Sequence, residues 1–190
     1  MNVLVTGGAG YIGSHVVRQL GEAGHTCVVY DNLSGGHPRA IGSATLVRGD
    51  VGDREALTAA LRDHEIEAVI HLAAYIEAGE SVTDPGKYFR NNTMGGLALL
   101  EAMRAAEVQR IVFSSTAAVY GQPERTPILE TDCTEPINPY GASKLAVEFM
   151  LRGFAAAHGI AAVALRYFNV AGAHPDGDIG EDHDPESHLI

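Results

Sequence analysis

Tyr140-Gly141-Ala142-Ser143-Lys144 puts a phenol and an ammonium one helical turn apart, and therefore on one face if the segment is helical. A phenol whose ordinary pKa is near ~10 accepts a proton at neutral pH only where something stabilises its anion, and Lys144 is spaced to do that. Asn138 and Pro139 read as the N-cap and first residue of the helix, so Tyr140 falls where the positive end of the helix dipole favours a phenolate. Tyr-x-x-x-Lys also arises from a half-buried tyrosine beside a solvated lysine, so its meaning depends on its surroundings.

The second chemical feature is the run Thr6-Gly7-Gly8-Ala9-Gly10-Tyr11-Ile12-Gly13, between a short apolar run and a helical stretch. It satisfies Gly-x-Gly-x-x-Gly at Gly8, Gly10 and Gly13, and Gly-x-x-Gly-x-x-Gly at Gly7, Gly10 and Gly13. Positions without side chains let a pyrophosphate approach backbone N–H groups at a helix N-terminus, where the dipole adds attraction. Asp31 follows the next strand at the distance expected for an acid that binds an adenosine ribose 2′-hydroxyl; it would repel a 2′-phosphate, which favours NAD over NADP. With Asn32 it also reads as an ordinary strand-ending turn. Asp50 and Val51 follow the third strand, where the acid could face the adenine or simply enter a helix.

These residues need a frame to bring them together. Short apolar runs near 3–5, 26–30, 45–48, 68–72, 110–114 and 161–166 alternate with helical stretches near 12–23, 54–64, 91–107 and from Tyr140 onward. That rhythm predicts an α/β fold, a Rossmann-like doubly wound parallel sheet with helices on both faces. The apolar runs Ala68-Val69-Ile70 and Ile111-Val112-Phe113 suit strands buried on both sides. Residues 122–139 read as one long loop. In such sheets ligands bind beyond the carboxyl ends of the strands. Gly7 to Gly13, Asp31, Asp50, Ala73-Ala74, Ser114-Ser115-Thr116 and Tyr167-Phe168-Asn169 all fall there, and Thr116 could offer a sugar a hydroxyl beside Tyr140.

Composition sets the bounds. The 190 residues are 46% hydrophobic and 19% charged, as in globular proteins, and suffice for one core. A formal charge of −11 without a basic cluster argues against nucleic acid and anionic membranes as partners. Neither a signal peptide nor a membrane span is apparent, and Cys27 and Cys133 suggest no disulfide framework, so a cytoplasmic setting is expected.

The chain resembles the extended short-chain dehydrogenase/reductase family, and within it the UDP-hexose 4-epimerases. The resemblance rests on Val-Thr-Gly-Gly-Ala-Gly-Tyr-Ile-Gly-Ser-His at 5–15, Asp31-Asn32-Leu33-Ser34, Gly49-Asp50, His71-Leu72-Ala73-Ala74 and Gly79-Glu80-Ser81-Val82. It continues through Asn91-Asn92, the run from Ser114 to Gly121, the run from Asn138 to Lys144, and Arg166-Tyr167-Phe168-Asn169. It implies a bound NAD that transiently oxidises C4 of a UDP-hexose to a 4-keto sugar and reduces it from the other face. Catalytic roles fall to Tyr140 as proton acceptor, Lys144 as the group that, with the oxidised nicotinamide, lowers its pKa and holds the nicotinamide ribose, and Thr116 as a bridge to the sugar. The implied cofactor contacts are Gly7, Gly10, Tyr11, Ile12, Gly13, Asp31, Asn32, Asp50, Val51, Leu72, Ala73, Ala74, Asn91, Ser114, Tyr140, Lys144 and Tyr167. The substrate contacts are Thr116, Tyr140, Phe168 and Asn169. Related 4,6-dehydratases place an acid directly after the Thr; here Ala117 and Ala118 stand there, which counts against dehydration. Some epimerases carry a lysine where Ile76 stands.

Family members continue into a smaller carboxy-terminal domain. The expected organisation is an NAD-binding domain at 1–173 and an acidic tail at 174–190, the start of a substrate-binding region that is largely missing. An isolated NAD-binding module with little turnover is the rival to a complete epimerase. The tail carries His174, His183 and His188 among acids, but its spacing fits neither calcium-loop nor zinc templates, so no metal is expected. Leu97, Leu100, Met103, Leu145, Phe149 and Met150 read as core, and by resemblance as a homodimer face.

Overall fold

The computed structural model describes residues 1–182. Six strands, β1 (Asn2–Thr6), β2 (Thr26–Asp31), β3 (Thr45–Arg48), β4 (Ala68–His71), β5 (Arg110–Thr116) and β6 (Ala161–Tyr167), form one sheet in the order β3-β2-β1-β4-β5-β6. All neighbouring pairs are parallel, so the crossovers carry helices: α1 (Tyr11–Glu22), α2 (Arg54–Asp63), α3 (Ala78–Thr83), α4 (Pro85–Tyr88), α5 (Gly95–Ala105) and α6 (Pro139–His158). The order reverses between β1 and β4, the switch point at which such sheets open a ligand crevice.

Side chains alternate along each strand and so feed two cores. Leu4, Val28, Tyr30, Val69, Ile111 and Phe113 meet Leu57 and Leu61 of α2, Leu99 and Met103 of α5, and Val147 and Leu151 of α6. Val3, Val5, Cys27 and Val29 face the other way, against Val17 of α1. The doubly wound reading holds, with one asymmetry: β6 leaves Val163 and Leu165 exposed.

Local differences from the sequence reading have identifiable causes. The stretch expected as one helix over 91–107 begins as a π-helical turn at Phe89–Met94 and becomes α5 only at Gly95. A Cβ on Gly95 would meet Val51 Cγ2 at 2.8 Å and one on Gly96 would meet Val147 Cγ2 at 2.9 Å, so these glycines let α5 pack closely on both neighbours. The short helices α3 and α4 were not expected; Asp84 caps α4, accepting from the Lys87 N–H at 3.1 Å, with Pro85 as its first residue. Strand β5 runs to Thr116 instead of ending at 114, because β6 pairs with it as far as Thr116–Tyr167. Of the apolar residues on α5 and α6, Leu100, Met103 and Leu145 are buried, whereas Leu97 and Phe149 are exposed. No helix among the described residues is long and apolar enough to cross a membrane.

Candidate active site

The turn from β1 into α1 is held by backbone contacts. Gly7, at φ +72°, donates its N–H to the Tyr30 carbonyl at 3.0 Å, and the Gly10 N–H returns to the Gly7 carbonyl at 3.2 Å. A Cβ on Gly7 would lie 2.6 Å from the Ala73 nitrogen, and one on Gly13 would lie 2.1 Å from the Gly7 oxygen. At Gly10 a Cβ would meet only the Gly7 oxygen, at 3.4 Å, so protein packing does not demand glycine there. Gly10 instead borders open space, a cleft of about 1060 Å³ at the sheet's carboxyl edge. Gly7, Gly10 and Gly13 line this cleft, while Gly8 packs on Val29. The two glycine templates are thereby separated, and the one starting at Gly7 faces the ligand space.

Asp31 lies in the same cleft, 8% exposed, its two carboxylate oxygens accepting the Ala9 N–H at 3.0 Å and the Leu33 N–H at 2.8 Å. The loop and the acid therefore fix one another. Asn32, Val51, Leu72, Ala73, Ala74 and Asn91 also line the cleft, with Tyr11 and Ile12 at the start of α1. Asp50 does not; it is exposed and accepts from the Asn32 side chain at 3.0 Å and the Gly52 N–H at 2.8 Å. A position after a strand does not fix the direction of the side chain, and here a turn claims it.

At the other end of the cleft, α6 begins as expected: the Asn138 side chain accepts the Gly141 N–H at 2.8 Å and Pro139 follows. A Cβ on Gly141 would lie 2.7 Å from the Ala118 oxygen, so α6 starts in close contact with the 3-10 turn Ala117–Tyr120. Tyr140, Lys144, Ser114, Thr116, Tyr167, Phe168 and Asn169 line this end, as do Ala117 and Ala118. Burial pushes the Tyr140 phenol up, and a hydrogen bond with Thr116 pulls it the other way. Lys144 is 3% exposed and donates to the Ser114 carbonyl at 2.9 Å; burial brings its ammonium down to about 7. The expected lowering of the Tyr140 pKa by Lys144 is thus not what this structure displays. Both groups are desolvated, the ammonium is turned to a carbonyl, and its charge is felt by His71, which burial and Lys144 together push down to about 3.

Two asparagines illustrate a residue the sequence reading passed over. Asn91 borders the cleft, but the buried Asn92 is the bracket: it accepts the Tyr75 N–H at 2.9 Å, donates to the Tyr75 carbonyl at 3.0 Å, and donates to Ser143 Oγ at 3.1 Å. The π-helical turn, a form common at functional sites, places it between the β4 exit and α6. Tyr75 and Glu77 also line the cleft and were not expected to; Ile76, where some epimerases carry a lysine, and Glu181 of the tail line it as well.

Lys144 is the sole cation among the described lining residues, so an anionic ligand elsewhere in the cleft would depend on backbone N–H groups at the start of α1. Toward the tail, the Tyr11 hydroxyl donates to the Gly172 carbonyl at 2.5 Å, and Arg18 pairs with Asp178 and Asp176. His174, Asp176 and Asp178 bring ligand atoms within 4.8 Å of one another, with the Arg18 guanidinium already on both acids. His183 and His188 lie outside the described residues.

The cleft has room for a dinucleotide: its lining includes the glycine turn, the acid Asp31 and Tyr140, and Gly10 keeps it free of a side chain where packing would tolerate one. Comparison with known proteins agrees. Residues 3–189 match the model of the NAD dependent epimerase/dehydratase family. The chain is 52% identical over 191 residues to the UDP-glucose 4-epimerase of Lacticaseibacillus casei, covering 100% of this chain and 58% of that protein. It is similar to the crystal structure of UDP-glucose 4-epimerase from Brucella ovis in complex with NAD, with TM-score 0.97 and 51% identity over 99% of this chain and 58% of that one. It is also similar to the Stenotrophomonas maltophila enzyme with bound NAD and formylated UDP-arabinopyranose, with TM-score 0.96 and 44% identity over 100% of this chain and 59% of that one. The chain thus spans about 58% of the length of the first of these relatives.

Proposed function

The chain belongs to the NAD dependent epimerase/dehydratase family, and from that membership we propose that it holds NAD in this cleft and carries the proton-transfer centre for C4 epimerisation of a UDP-hexose, UDP-glucose or UDP-galactose. The observation that carries the reading is the convergence of Gly7, Gly10, Gly13, Asp31, Thr116, Tyr140 and Lys144 on a single cleft. When bound, NAD supplies reversible oxidation of the sugar's C4 carbinol. The chain's own part is to hold and move a proton. Tyr140 accepts the C4 hydroxyl proton and returns it after the sugar has presented its other face. Thr116 donates to the phenol oxygen, the interaction that favours its anion. Lys144 keeps an N–H directed at the Ser114 carbonyl and its remaining donors for the cofactor ribose. Asp31 selects a ribose hydroxyl over a phosphate by charge. Ala117 and Ala118 put no acid directly after Thr116, the place from which a dehydratase would eliminate water.

The distribution of residues favours an NAD-holding domain whose own turnover is small. Asp31 at 8% and Lys144 at 3% exposure are enclosed among the cofactor positions, whereas Phe168, assigned to the substrate, is 69% exposed and the nearby Val170 38% exposed. Incubating the 190-residue chain with NAD and UDP-galactose and following UDP-glucose separates the cases. Tight NAD binding with negligible conversion is expected, rapid conversion would establish a complete epimerase, and failure to bind NAD would sink both.

Tyr140→Phe is expected to leave NAD affinity within about twofold while reducing any conversion, or any sugar-dependent appearance of reduced-nicotinamide absorbance, by about 10²–10⁴-fold. A large loss of NAD binding would instead assign the phenol a structural role.

We further propose self-association through α5, the π-helical turn before it and α6, which expose the apolar side chains Leu97 at 38%, Met94 at 63% and Phe149 at 59%. Sedimentation velocity should show mass rising with concentration, and Phe149→Glu should abolish the rise; a monomer at every concentration would exclude it.

A further inference from the structure

Glu148 is 3% exposed and lies one helical turn beyond Lys144 on α6. A carboxylate this deep needs full compensation, and it has it. Its Oε1 accepts from Ser115 Oγ at 2.6 Å and from Arg166 Nε at 3.0 Å, and its Oε2 accepts from Arg166 Nη2 at 2.7 Å. Burial pushes the Glu148 carboxyl up, but the fork of Arg166 and the Ser115 hydroxyl outweigh it and hold the group below the usual range. Arg166 in turn donates from Nη1 to the Tyr120 hydroxyl at 2.7 Å and to the Glu130 carbonyl at 3.3 Å, with its guanidinium 4.8 Å from the centre of the Tyr120 ring. One bidentate pair therefore joins α6, β5, β6, the 3-10 turn and the long loop.

The placement of these partners gives the pair its significance. Ser115 sits between Ser114, whose carbonyl takes the Lys144 proton donor, and Thr116, which bonds Tyr140. Arg166 immediately precedes Tyr167 of the cleft, and Tyr120 ends the turn whose Ala118 packs against the start of α6. A shift of α6 along β5 would separate both contacts of the proton-transfer centre at once. Hydrophobic contacts such as Val147 and Leu151 are non-directional and tolerate sliding; a forked Arg–carboxylate pair fixes position and orientation.

We propose that the Glu148–Arg166 pair is the positioning device of the centre, setting the register of α6 on β5 so that Tyr140 meets Thr116 and Lys144 meets the Ser114 carbonyl. This rests on the proposed role of Tyr140 and Lys144, but its test does not require turnover. The test follows Lys144 by carbon NMR on lysine-labelled 190-residue chain. The groups facing Lys144 are His71 from β4, the Phe113 ring from β5, 5.1 Å from its Nζ, and Tyr140 on its own helix. Burial sets the Lys144 midpoint at about 7 in the unsubstituted chain. Glu148→Gln, and the apolar double variant Glu148→Met with Arg166→Leu, should each raise that midpoint by a unit or more as water reaches the ammonium. NAD affinity should fall about tenfold in parallel. The double variant leaves no unpaired buried charge, so it decides the matter if Glu148→Gln does not fold. A pair that serves stability alone would lower the unfolding midpoint while leaving the Lys144 titration and NAD affinity unchanged, which overturns the proposal. So would failure of every variant to fold, since the pair would then serve the fold as a whole. If the unsubstituted chain binds no NAD, the functional reading falls, and the Lys144 midpoint still tests the positioning role.

Discussion

Gly13→Ala is expected to abolish NAD binding and to destabilise the chain by about 3 kcal/mol, at the upper end for overpacking a close contact. The added Cβ would lie 2.1 Å from the Gly7 oxygen and 2.6 Å from Gly8 Cα, and both are backbone atoms that no rotamer change can move aside. Relief requires displacing the β1–α1 turn, which the Gly7–Tyr30 and Ala9–Asp31 hydrogen bonds oppose. Gly10→Ala is the control. Its Cβ meets nothing closer than 3.4 Å, so stability should be nearly unchanged, yet it projects into the cleft proposed to hold NAD. Calorimetric titration with NAD and urea unfolding would read both quantities. Fold and affinity should be lost together at Gly13, while Gly10→Ala loses tenfold or more in affinity, about 1.4 kcal/mol, alone. A Gly13→Ala chain that binds NAD normally would show that the turn does not cradle the pyrophosphate.

The sequence made the alternation of elements legible because parallel strands buried on both faces leave short apolar runs that differ plainly from helical periodicity. It also located the carboxyl edge of the sheet, and the N-cap at Asn138 followed from local chemistry alone. Side-chain direction was less accessible. Asp31 ends β2 and Asp50 follows β3, but Asp31 turns inward to the Ala9 and Leu33 N–H groups and Asp50 outward to its own turn. Asn91 and Asn92 are adjacent, and only the π-helical turn decides which one is buried. Glu148 carried a signal that went unread: a carboxylate within the apolar run Leu145-Ala146-Val147-Glu148-Phe149-Met150 on a helix needs a buried partner. Its partner Arg166 arrives from another strand, so spacing along the chain could not name it. The spacing of Tyr140 and Lys144 predicted proximity correctly but not the ammonium's acceptor, because the Ser114 carbonyl belongs to β5.

His71 is expected to make the chain acid-sensitive well above the range in which carboxylates titrate. Its ring is 3% exposed, stacked on Phe113 with centroids 5.6 Å apart, and its Nδ1 lies 2.7 Å from Thr6 Oγ1. Burial first, and the Lys144 charge second, lower its pKa from 6.5 to about 3. Between those values the unfolded chain binds a proton that the folded chain refuses. The stability contributed by the neutral ring is therefore complete above about pH 6.5 and lost as pH falls. The loss should reach about 2 kcal/mol by pH 5 and be on the order of 4 kcal/mol by pH 3. Lys144 acts with the same sign in another window: its pKa is lowered from 10.5 to about 7, so stability rises with pH between those values. The carboxyl of Glu148, held low by Arg166, adds its own loss only below its ordinary 4.5. Urea unfolding between pH 6.5 and 5 therefore isolates the histidine from the lysine and from Glu148. His71→Asn can keep a hydrogen-bonding partner for Thr6 while removing the titration, so its stability should be flat across that interval where the unsubstituted chain declines. Equal slopes in the two proteins would mean that water reaches the ring and that the space beneath Lys144 is not dry, which would also remove the physical basis for a lysine poised near neutrality.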